Sequence, residues 1–148
     1  MTCGSCAWRY ELRGVSRCRQ AADAKIDPSW PACERYEATA SVDCQTCGAC
    51  CRAAYHSVEV SPRDPAVKAQ PSYIVDRGTY LEIKRDGDRC AALLGGTFDP
   101  AENRDGPTRT NASRFHCAIY DDRPRTCRDF TLGSAHCLTA RRRVGLSL

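Results

Sequence analysis

Large apolar side chains are scarce in this chain, with one Met, three Phe and two Trp among 148 residues. Its 42% apolar share includes twelve cysteines, and without them little remains to fill a core. A fold of this kind leans on cross-links or bound metal. No apolar run approaches the roughly 20 residues that span a bilayer, which excludes a transmembrane helix. Met1-Thr2-Cys3-Gly4-Ser5-Cys6 lacks the basic start and apolar stretch of a secretory leader, so a cytoplasmic protein is expected. There is no Ser–His–Asp constellation, no phosphate-cradling glycine loop, no GxGxxG and no internal repeat. These absences leave hydrolase, nucleotide-binding and repeat-array readings without support.

What the chain has is cysteine. Cys44-Gln45-Thr46-Cys47-Gly48-Ala49-Cys50-Cys51 packs four into eight residues. A disulfide needs converging Cβ vectors and Cα atoms about 4.4–6.8 Å apart, which neighbouring residues do not readily offer. Cys50 and Cys51 are therefore expected to serve different partners. In a reducing compartment, CxxC spacings read as metal or redox sites. The competing reading, a secreted disulfide scaffold with an even cysteine count, is the less expected one.

The formal charge of +4 counts every cysteine as a neutral thiol. Four thiolates around zinc, or around a 4Fe–4S cluster, bring two negative charges per site, so three such sites would make the net charge negative. Arginines flank many of the cysteines: Arg17 and Arg19 around Cys18, Arg52 after Cys51, Arg89 before Cys90, Arg125 and Arg128 around Cys127. They read partly as charge compensation for sulfur and partly as ordinary surface residues. Neither reading calls for a nucleic-acid partner.

Residues 1–40 form a first unit. Cys3-Gly4-Ser5-Cys6 is a CxxC knuckle, Tyr10–Arg13 predicts a short strand ending at Gly14, and Gln20–Lys25 is helix-prone. Ser29 is placed to cap a second helix carrying Cys33, Tyr36 and Ala40, with Pro31 in its first turn. Cys3, Cys6, Cys18 and Cys33 make one set of four, the number for a tetrahedral zinc, separated by loops of 11 and 14 residues.

Residues 41–148 form the main unit, of α+β class, with short strands and helices gathered around metal. Arg52–Tyr55 is expected to continue a helix, and Ser57–Val60 reads as a strand. Ser61–Asp64 starts a helix that runs to about Gln70. Thr79–Lys84 and Arg89–Leu94 read as a hairpin joined at Asp86-Gly87. Residues 95–114 read as a surface loop. Phe115–Tyr120 is a short apolar run bearing Cys117, and Pro124 opens a short helix with Cys127 and Phe130. A last helix follows Gly133-Ser134, holds Cys137 and ends in Arg141–Arg143, read as a solvated helix end.

The cluster Cys44-x2-Cys47-x2-Cys50-Cys51 is followed by Cys90. Cys117-x-Ile119-Tyr120-x2-Arg123-Pro124-x2-Cys127-Arg128-x-Phe130 comes next. Together these resemble the CxxCxxCC, or YkgJ-type, cysteine-cluster family of zinc- or iron-chelating domains. The resemblance covers about residues 41–140, and Cys137 matches a last cysteine that such domains often carry. It implies zinc or iron held by cysteine. In one branch, the flagellin lysine N-methylases, the domain accompanies S-adenosylmethionine-linked protein modification, but those proteins are much longer than this chain. The set Cys3, Cys6, Cys18 and Cys33 lies outside the shared pattern.

Cys44, Cys47 and Cys50 are spaced like the loop that wraps three corners of a 4Fe–4S cube, with a fourth ligand from Cys90, Cys117, Cys127 or Cys137. Equally, Cys44 and Cys47 with a remote pair suit zinc, with Cys50 or Cys51 in a second site. His116 and His136 precede cysteines and are alternative ligands, although cysteines are numerous enough without them. Tyr120 and Phe130 are expected to pack around the centre, and Asp121-Asp122 to cap a helix. The expected function is that of a metal-binding accessory module with metal ions and a protein as partners. The alternatives are an iron–sulfur enzyme or redox protein, and a metal-handling protein.

Overall fold

Gly, Pro and Asp punctuate this sequence every few residues, so its strands and helices are short. The computed structural model describes residues 1–52, 54–96 and 115–148. Strand β1 (Arg9–Leu12) turns through Arg13-Gly14 into β2 (Val15–Cys18), and β2 also pairs with β3 (Ala24–Lys25). The sheet is antiparallel in the order β1-β2-β3.

The helix expected over Gln20–Lys25 does not form. Arg19–Ala21 makes a single 3-10 turn, Ala22 and Asp23 take φ of 50° and 63°, and the chain then joins the sheet. Helix propensity is a weak preference, and the ladder to β2 overrides it. The helix after Ser29 is absent as well. The Ser29 amide and hydroxyl both donate to Asp27 Oδ1, at 2.8 and 2.7 Å, closing a turn instead of capping a helix. Bridges Thr2–Pro31 and Cys6–Ala38 pin the segment that follows.

In the main unit, α1 is one turn, Cys44–Cys47, started by Asp43 accepting from Gln45 N–H and ended by Gly48 at φ 61°. A 3-10 turn, Ala49–Cys51, comes next. No helix continues past it: Arg52 is extended, and Ala53 lies outside the described residues. Strands β4 (Glu59–Val60), β5 (Ile74–Asp76) and β6 (Leu81–Ile83) form an antiparallel sheet in the order β4-β6-β5.

The expected hairpin is thus only partly correct. Its Asp86-Gly87 turn exists but joins β7 (Arg85–Asp86) to β8 (Arg89–Cys90), while β6 pairs elsewhere. A nearer turn wins: Asp76 Oδ1 accepts from Gly78 N–H at 2.7 Å, and this folds β5 directly back on β6. Glu82, buried on β6, is held by Ser57 Oγ and Arg77, each at 2.6 Å.

Helix α2 (Pro65–Ala69) ends where the sequence places it but starts three residues later than a Ser61 cap would put it, with Asp64 as cap and Pro65 in its first turn. The other Asp64 oxygen accepts from Arg125 N–H at 2.7 Å, at the start of α3 (Arg125–Arg128). That work was expected of Asp121-Asp122, yet Asp122 accepts from Gln70 Nε2 instead. Phe130 lies just past α3. Strand β9 (Leu93–Leu94) pairs with β10 (His116–Cys117), and most of the loop between them, 97–114, lies outside the described residues. The last helix, α4 (Ala135–Arg143), is capped by Ser134 Oγ accepting from Cys137 N–H at 3.1 Å.

The class is α+β, with short antiparallel strands. One apolar cluster lies under the β4-β6-β5 sheet around Val60, Ile83, Leu93 and Ile119. A second joins the two parts of the chain: Trp8, fully buried, packs with Val42, Cys137 and Leu138. Among the described residues no helix is long and apolar enough to cross a membrane.

Candidate functional site

All twelve cysteines are free thiols, and the fold gathers them in two places. In the first, a 3-10 turn at Cys3–Ser5 carries Cys3 and precedes Cys6, β2 ends on Cys18, and Cys33 lies in the turns that follow. Gly4 is needed there: its N–H donates to Pro28 O, and a Cβ would come within 3.0 Å of that carbonyl. The four cysteines line a cavity of about 20 Å³ together with Gln20, Arg35 and Tyr36. That is room for one small species, since a single water needs roughly 10–15 Å³ measured this way. Burial raises the Cys3 pKa, and Cys33, Cys18 and Cys6 raise it further, as expected of four neighbouring sulfurs.

The second place is larger. Cys44 from α1, Cys50 and Cys51 from the following turn, Cys90 from β8, Cys117 from β10 and Cys127 from α3 line one cavity of about 340 Å³. Tyr120 and Phe130 line it too. Cys50 and Cys51 Sγ are 3.9 Å apart. The Cys51 thiol bonds to both Cys50 and Cys90, and this pushes its own pKa far up. The same bonds draw Cys50 down to about 7 and Cys90 down to about 6. Burial, then the neighbouring thiolates, pushes Cys44 up to about 11 and Cys127 up to about 12.

Cys47 and Cys137 do not line that cavity. Both lie close enough to Cys44 to raise its pKa, so the eight cysteines of the main unit form one continuous neighbourhood. Cys47 Sγ accepts from Arg141 Nη1 at 3.2 Å, and Arg141 Nη2 meets Glu37 Oε2 at 2.5 Å. Burial disfavours the Arg141 charge, but Cys47 and Glu37 outweigh it and the guanidinium pKa is raised.

This corrects the arginine reading twice. Arg141 is buried, not part of a solvated helix end. Of the arginines adjacent in sequence to cysteines, Arg19 bonds Gly133 O, Arg89 lies over the Phe115 ring and Arg125 pairs with Asp129, while Arg52, over the same ring, stays near enough to Cys47 for their charges to attract. Arg123 donates to Tyr120 O and stacks 3.7 Å from its ring, on the wall of the large cavity, where its charge favours the thiolates of Cys117 and Cys127. Periodicity held the missed signal, because Arg141 follows Cys137 and Leu138 on the buried face of α4. His136 lines the large cavity, whereas the side chains of His116 and His56 are exposed.

Among the described residues, no three Cys, His, Asp or Glu side chains converge as a bound metal ion requires. The donor sets nevertheless suit metal in kind: soft sulfur, grouped in fours or more and partly buried. Binding would have to draw the sulfurs inward to about 2.3 Å from a zinc. The chain matches no family model, and no curated protein or solved structure matches it significantly.

Proposed function

We propose that this is a cysteine-rich metal-binding protein of the CxxCxxCC type, acting as an accessory module that presents a metal-stabilised surface to a protein partner. The observation that carries the reading is the sorting of sulfur by the fold. Four thiols share a cavity of single-ion size, and six more face a second, separate cavity.

In this reading Cys3, Cys6, Cys18 and Cys33 hold one zinc. Cys44, Cys47, Cys50, Cys51, Cys90, Cys117, Cys127 and Cys137 hold further zinc or a 4Fe–4S cluster. A closed four-thiolate site supplies cross-linking of the chain rather than catalysis. Arg141 offsets charge on Cys47, while Trp8, Leu138 and Phe130 keep water from that side. Contacts with Cys50 and Cys90 raise the Cys51 pKa, so this thiol resists the deprotonation that ligation requires.

The size of the larger cavity favours a second reading as well. About 340 Å³ exceeds what one ion fills and falls within the usual range of small-ligand pockets. A centre held there by three cysteines would keep a position open for an exchangeable ligand, as an iron–sulfur enzyme or redox protein needs.

Serine substitution with metal counting tests the proposal. Cys33→Ser, at an exposed cysteine, is expected to lose one metal per chain and leave the main unit folded. Cys127→Ser is expected to lose metal from the main unit and much of its stability. Unchanged metal content in both variants overturns the reading.

A further inference from the structure

Gln20 lines the small N-terminal cavity and is almost wholly buried, 6% exposed. Its side-chain oxygen accepts from Arg142 Nη2 on α4, and its backbone carbonyl accepts from Arg35 Nη1 at 3.3 Å. Arg142 is only a donor, so the amide atom facing it must be the oxygen, which fixes the orientation of the group. The nitrogen is then the odd one out. Gln20 Nε2 is shut off from solvent and has no hydrogen-bond partner. Buried N–H groups without partners are rare in folded proteins, and each calls for an acceptor. The neighbours that share this cavity and can accept are the Tyr36 hydroxyl, already bonded to Ser5, and the sulfurs of Cys3, Cys6, Cys18 and Cys33. A neutral thiol accepts weakly, whereas a metal-bound thiolate carries negative charge and accepts well.

We infer that Gln20 is a positioning residue of the N-terminal site, its side-chain amide donating N–H to a metal-bound cysteine sulfur. The inference rests on the metal-binding reading of that cysteine set. Gln20 then does two things with one group: its oxygen ties the unit to α4 through Arg142, and its nitrogen stabilises a thiolate. Partners of this kind, one step removed from the metal, commonly change affinity by about 10–100-fold when they are replaced.

The test uses the full-length chain, nitrogen-15 labelled and loaded with cadmium-113. The cadmium resonance that vanishes in Cys33→Ser marks the N-terminal site. In the native chain that resonance is expected to show scalar coupling to a Gln20 Nε2 proton, transmitted through the N–H···S bond. Gln20→Glu separates the two roles, because a carboxylate still accepts from Arg142 but has no N–H to give. This variant is expected to hold cadmium at that site about 10-fold more weakly, with its resonance shifted and the other resonances unmoved. A Gln20→Glu protein with native affinity and an unshifted resonance, together with no coupling in the native chain, overturns the inference. The native-chain coupling decides the matter even where the variant fails to fold. Absence of any resonance that depends on Cys33 is a different result, and it overturns the metal reading of this unit and the role of Gln20 together.

Discussion

Arg141 and Cys47 are 94 positions apart in sequence, yet Arg141 Nη1 lies 3.2 Å from Cys47 Sγ. The next residue on α4, Arg142, reaches Gln20 at the other cysteine set. One helix therefore touches both sulfur-rich places, and its two adjacent arginines face one each.

Loss of Arg141 is expected to be costly. Arg141→Leu leaves the partly buried Glu37 with Trp8 Nε1 as donor but without its cation, and Cys47 without its Arg141 donor. Removing one partner of a buried ion pair typically costs about 3–5 kcal/mol. Urea unfolding should show a loss of that order, with part of it recovered in the double variant Arg141→Leu/Glu37→Leu. A midpoint within error of native would show that the contact contributes nothing.

Gly48 sits between Cys47 and Cys50 at φ 61°, and a Cβ there would lie 3.0 Å from Phe115. Gly48→Ala combines left-handed backbone strain, about 1–2 kcal/mol, with that close approach. Lower stability and weaker metal retention in the main unit are expected, read by thermal melting and by competition with a chelator. The N-terminal site should keep its affinity.

Asp64 gives the fold an acid limb. Burial works against its charge, but the Arg125 and Ala66 amides, then the Arg128 and Arg125 charges, hold its pKa below the ordinary carboxylate value. A carboxylate depressed in the folded state stabilises fully above its unfolded pKa, near 4, and loses that contribution as pH falls through the folded value. Asp64→Ala removes two helix caps and is expected to cost about 2 kcal/mol at neutral pH. The stability difference between the two proteins should then shrink below about pH 4. A constant difference down to pH 2 would contradict the assignment.

Much of the main unit was legible because capping chemistry is local. Gly133-Ser134 marks a helix start by side-chain reach alone and α4 begins there, whereas α2 takes Asp64 as its cap rather than Ser61, the equally local choice three residues earlier. The N-terminal unit was less legible, since its backbone is shaped by pairing between distant residues. Ala24–Lys25 follows β2 into a sheet against its own helical preference, and Ser29 is claimed by Asp27 two residues earlier. The grouping of Cys3, Cys6, Cys18 and Cys33 on one cavity followed from their number and spacing. How the remaining eight divide did not, because Cys90, Cys117 and Cys127 arrive on three separate elements whose packing no spacing encodes. Trp8 is legible by scarcity, since a Trp in a chain this poor in large apolar residues is a strong core candidate.

The most direct test of the account is the metal content and visible spectrum of full-length protein purified without oxygen, measured alongside its count of reactive thiols. The account predicts at least two tightly held metal centres per chain, with the twelve cysteines protected until a chelator is added. A brown sample would identify iron–sulfur in the main unit, and a colourless one with zinc would identify closed structural sites. A folded, metal-free chain whose thiols all react at once would contradict the central claim.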